Sequence, residues 1–115
     1  MYQFSYAEIM EDGVADSKNR ERQVLDRSIA LMEAAKQQKG YSREAIEAIY
    51  FTRRLWIRFI EDLRAPENQL NEELRANLIS IAIWILNETE KIRKRESSNF
   101  QGIIDITTII RDGLK

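Results

Sequence analysis

The apolar residues change period along the chain, and each change marks an element. Tyr2, Phe4 and Tyr6 alternate with Gln3, Ser5 and Ala7. That period of two predicts an extended arm over residues 1–16, its aromatics on one side. Such an arm either packs on its own domain or reaches a partner or a second copy. From Ser17 the spacing becomes helical. Val24, Ser28, Leu31 and Ala35, with Leu25, Ile29 and Met32 beside them, form one wide stripe and predict a helix over 17–39. Asp16 or Ser17 can cap its start, and Gly40 can end it.

A second helix is predicted over 42–65. Ser42 is its cap and Pro66 its stop, because the residue before proline avoids helical geometry. Ile46, Ile49, Trp56, Ile60 and Leu63 are assigned to one face, while Tyr50, Phe51, Leu55, Ile57 and Phe59 carry apolar surface around much of the cylinder. A third helix is predicted over 71–96, with Asn71 as cap and Glu72 and Glu73 at the positive end of the helix dipole. Leu74, Leu78, Ile81, Ile85 and Ile92 mark its main face. The stretch LISIAIWIL (78–86) is apolar nearly all round, which implies a central helix or one sandwiched between partners. The fourth element, 98–111, has Ser97 or Ser98 as cap and Gly113 as stop. Phe100, Ile103, Thr107, Ile110 and Leu114 share a face. Its β-branched run IIDITTII leaves a strand open for 103–110.

The elements predict an all-α fold: a compact bundle of about four helices over 17–115, preceded by the aromatic arm, in one domain of 115 residues. A hydrophobic fraction of 43% against 32% charged is a globular balance, sufficient for a core. The net charge of -1 supplies no global field for nucleic acid or anionic membrane. No apolar run reaches the roughly 18 residues of a membrane span. The opening MYQFSYAEIMED has neither a basic start nor an apolar signal core, so the expected location is cytoplasmic.

Cysteine and histidine are both absent. Thiol chemistry and disulfides are thereby excluded, as are the commonest general base and the commonest transition-metal ligand. Glu61 with Asp62, and Glu72 with Glu73, are sequence neighbours, so on a helix neither pair shares a face as an acid/base couple would. No glycine-rich phosphate loop occurs. The expectation is a protein that is not an enzyme and has no cofactor and no metal. Basic groups stand at Arg20, Arg22 and Arg27, at Arg53, Arg54 and Arg58, and at Lys91, Arg93, Lys94 and Arg95. The last group suits a solvated helix C-terminus. Arg53, in phase with Ile49 and Trp56, suits pairing with a carboxylate inside the fold or at an interface. The acidic balance argues against direct nucleic-acid binding. What remains is an excess of apolar helix surface, which points to an interaction domain.

The blocks FTRRLWIRFIEDL, PENQLNEELRANLISIAIWILNE and IIDITTIIRDGLK, with the start YQFSYAEIMED, resemble the flagellar biosynthesis regulator FlaF family over nearly the whole chain. The most specific parts are Arg53-Arg54-Leu55-Trp56 through Asp62-Leu63, and Leu74-Arg75-Ala76 through Trp84. The resemblance implies a cytoplasmic bacterial protein, chiefly alphaproteobacterial, that acts in flagellin production and filament assembly as a secretion chaperone or regulator of flagellin. It implies two partners, flagellin and the regulator FlbT, which restrains translation of the flagellin messenger. The family supplies no catalytic motif to carry over. Flagellin's terminal helices bury their apolar stripes only in the filament and need cover before it. A groove in a helical bundle can give that cover. For this role Arg53, Arg54 and Arg58 are candidates to orient an acidic or polar edge, and Trp56, Phe59 and Trp84 are candidate anchors. Tyr2, Phe4 and Tyr6 are candidates on the arm. Two other readings stay open: regulation through FlbT or a messenger complex without holding flagellin, and a homodimer whose seam is the apolar excess.

Overall fold

A computed structural model describes residues 10–113, with side chains from Asn19 onward. Among these residues the chain is all α-helix: α1 (Met10–Lys36), α2 (Arg43–Arg64), α3 (Glu72–Arg93) and α4 (Phe100–Asp112). The expected aromatic arm at Tyr2, Phe4 and Tyr6 lies outside the described residues. Its proposed extent needs correction, because residues 10–16 are the first turns of α1 rather than extended chain. The period-two pattern ends at Tyr6. Beyond it only Gly13 opposes a helix, at a cost of about 1 kcal/mol relative to alanine, while each added residue propagates a hydrogen bond.

The helix ends follow local chemistry. Ser42 accepts from the Ala45 amide at 3.1 Å and Asn71 from the Leu74 amide at 2.8 Å, each side chain satisfying a first-turn donor. α1 stops at Lys36, three residues before the expected end, and the chain turns through Gly40 at φ 69, a left-handed conformation suited to glycine. α3 stops at Arg93, where Arg95 takes φ 63. The cap of α4 is Asn99, whose Oδ1 accepts from the Gly102 amide at 3.0 Å, instead of Ser97 or Ser98. The run 103–110 is helical. Thr107 turns its hydroxyl back to the Ile103 carbonyl at 2.7 Å, which removes a polar group from the core side of α4.

The helices pack in the spatial order α3, α2, α1, α4, each close neighbour antiparallel to the next. Short connections produce the first two pairings. The α1–α4 pairing is tied by Arg111 Nη1 to Asp26 at 2.8 Å and by a hydrogen bond from Lys36 to Gln101. The bundle measures 47 × 25 × 20 Å, so it is elongated along its helices. Leu25, Met32, Ala48, Trp56, Ala82, Ile85 and Ile103 are fully or almost fully buried, and they join all the described helices into one core. Ser28 and Thr52 share a hydrogen bond of 2.8 Å beside Ala45 and Ala48. Two residues assigned to main faces are exposed. Ile46 is exposed, while its neighbours Ala45 and Ala48 are buried. Leu74 lies in the first turn of α3, 42% exposed.

Candidate functional site

The central helix α2 carries two adjacent rows of residues at i, i+4 spacing. Phe51, Leu55 and Phe59 form one, and Tyr50, Arg54 and Arg58 the other. With Glu21 and Val24 of α1 they line a groove of about 370 Å³ between the two helices. The first row is its apolar floor and the second its polar margin. Its volume lies at the low end of the roughly 300–1,000 Å³ of small-ligand pockets, room for a few apolar side chains.

Cations border this groove. Arg54 lies over the Tyr50 ring, 5.5 Å from its centroid, and donates from Nη1 to the Tyr50 hydroxyl at 2.9 Å. Arg27 of α1 lies over the Phe51 ring at 5.7 Å. Both stackings hold a guanidinium beside an aromatic face and keep its outer edge toward solvent. Arg58 adds a third, one turn beyond Arg54, and Glu21 stands among the lining residues as the acidic member.

The candidate residues separate into distinct places. Arg54, Arg58 and Phe59 meet in the groove. Arg53 faces the other way. It donates from Nη1 to the Leu86 carbonyl at 3.0 Å and to the Thr89 hydroxyl at 2.9 Å, and stands 3.8 Å from Glu90. It is therefore a tie between α2 and α3, as its phase with Ile49 and Trp56 implied. The Arg93 guanidinium, hydrogen-bonded to Glu90, holds that carboxyl below its ordinary range; the charges of Arg93, Arg53 and Lys94 act in the same direction, against some desolvation. Trp56 is 1% exposed, edge-on to Phe59 at 5.1 Å, and belongs to the core. Trp84 is 41% exposed on α3, away from the groove. Tyr2, Phe4 and Tyr6 lie outside the described residues. Sequence reasoning did not single out Tyr50, Phe51 and Leu55 as a site. The signal for them was the pair of i, i+4 rows.

Among the described residues no group of three or more acidic side chains is placed to hold a metal ion, and no helix is long and apolar enough to cross a membrane.

Fold and groove together define a small all-α domain with an open, arginine-bordered apolar surface. The description "Flagellar protein FlaF" is that of the family that matches residues 2–114, and the chain belongs to this FlaF family. Membership places it among flagellar proteins. No curated protein and no solved structure matches the chain.

Proposed function

We infer that this chain is a non-catalytic chaperone-regulator of flagellin, holding an amphipathic flagellin helix before export. The observation that supports the reading is the groove between α1 and α2 in a flagellar-family protein, where half-buried Phe51 and Phe59 flank the buried Leu55 along the floor. An amphipathic helix from a partner covers such a floor with two or three apolar side chains. The small size of the groove suits a cargo that must be released, since little apolar area is covered. The setting is the cytoplasm, where flagellin is made, with the regulator FlbT as the second protein partner.

The test is titration calorimetry of the purified chain with intact flagellin and with flagellin lacking its terminal helices. Saturable binding that disappears on truncation is the expected result. An absence of binding to intact flagellin overturns the reading and directs attention to FlbT. Light scattering of the isolated chain at micromolar concentration separates both from a homodimer.

A further inference from the structure

The groove is more than apolar: its margin is arranged to receive carboxylates. Arg54 donates one N–H to the Tyr50 oxygen at 2.9 Å. The tyrosine hydroxyl thereby spends a lone pair and keeps its own proton to donate. The remaining guanidinium donors of Arg54 stay on the same side, held by the ring beneath them at 5.5 Å. One turn further, Arg58 presents a second guanidinium along the same row. Arg27, over Phe51, adds positive charge from α1. Two guanidinium groups, Arg54 and Arg58, therefore line the groove with the one carboxylate of Glu21, and Arg27 stands beside it over Phe51, in a chain whose net charge is -1. This local imbalance selects an occupant by charge.

We propose that the α1–α2 groove takes an amphipathic helix with two acidic residues one turn apart beside its apolar stripe, the first carboxylate received jointly by Tyr50 Oη–H and Arg54 and the second by Arg58. The i, i+4 spacing of Arg54 and Arg58 sets the spacing of their partners, because two helices laid side by side share the same rise per turn. The apolar floor provides attachment, and the charged margin sets which helix is accepted and in which register. The inference rests on the chaperone reading in taking flagellin as the cargo, but the acidic edge can be tested without flagellin.

The probe is a fluorescently labelled amphipathic peptide with leucines at i, i+4 and i+7 and a pair of glutamates four residues apart. Two sister peptides carry glutamines or lysines at the pair. Anisotropy titration of the full chain is expected to rank glutamate over glutamine over lysine. Two exposed pairs give a glutamate advantage of roughly two- to thirty-fold. It shrinks as salt rises from ~50 to ~500 mM. Arg54→Glu with Arg58→Glu should reverse the ranking. Tyr50→Phe keeps the ring and should lower the glutamate preference alone. Both arginines are exposed, so the double variant should stay folded, with at most a small drop in melting temperature from the lost contacts of Arg54 and the new charge beside Glu61 and Asp62. If that variant unfolds, Arg54→Gln with Arg58→Gln should abolish the ranking instead of reversing it.

Equal affinity for the three peptides, no binding of any, or a ranking that survives charge reversal overturns the proposal. Flagellin that binds the wild-type and charge-reversed chains equally also overturns it, while the chaperone reading stands. Flagellin that binds neither chain overturns the chaperone reading, and the peptide ranking still decides the acidic edge.

Discussion

Two tryptophans of similar appearance in the sequence have opposite fates. Trp56 is 1% exposed and Trp84 is 41% exposed. Both lie in helices rich in apolar residues, and both were candidate anchors. Replacing Trp56 by alanine should cost about 3–5 kcal/mol, the usual range for emptying a large buried aromatic site. Trp84→Ala should lower the urea midpoint clearly less than Trp56→Ala, because 41% of its surface already faces water. Equilibrium unfolding followed by far-UV circular dichroism measures both. The arginines separate in the same way. Arg53, Arg54 and Arg58 read as one basic cluster in the sequence, but a step of one residue turns a side chain about 100 degrees around a helix. Arg53 consequently meets the carbonyl of Leu86, while Arg54 meets Tyr50 on its own helix. Phase alone was enough to foresee an internal role for Arg53. Arg54 finds its partner one turn back on its own helix, an i, i+4 pair that spacing alone also allows.

Helix boundaries were readable wherever one residue decides them. Ser42, Asn71 and Pro66 did so. At α4 three adjacent polar residues, Ser97, Ser98 and Asn99, compete for the cap, and the structure selects Asn99. This selection involves Gly102. A Cβ there would stand 2.5 Å from Asn99 Nδ2, the far end of the capping side chain. Gly102→Ala should therefore fall short of the ~1 kcal/mol that alanine ordinarily gains over glycine inside a helix, because the substitution displaces the cap. With the cap already removed by Asn99→Ala, the same change should recover that gain. A double-mutant cycle measured by thermal denaturation checks the coupling between the two sites. The strand alternative for 103–110 failed for a related reason. Two threonines in a β-branched run look strand-like, but Thr107 satisfies its hydroxyl on the preceding turn, and Ile103, Ile104 and Thr107 fill one buried side at helical spacing.

Across the whole molecule, α1 and α2 each have two helical neighbours, whereas α3 and α4 each have one close neighbour. Amide exchange should accordingly be slowest in the middle of α1 and α2, around Ser28 and Thr52, and faster along α3 and α4, where local opening breaks fewer contacts. Hydrogen-exchange mass spectrometry reads this directly; equal protection in all the helices would contradict it. The same packing order resolves LISIAIWIL. Ala82 and Ile85 are fully buried in the chain's own core, while Ile83 and Trp84 stay partly exposed because α3 lies at one side of the row with α2 alone packed closely against it. The sequence by itself determined the all-α class, most helix ends and the lack of histidine and cysteine chemistry, since these depend on local periodicity, caps and composition. Only the tertiary structure decided which apolar residues face solvent and which residues line the groove. Those depend on where non-adjacent stretches meet, and the meeting of Ser28 on α1 with Thr52 on α2 is not encoded in either helix alone.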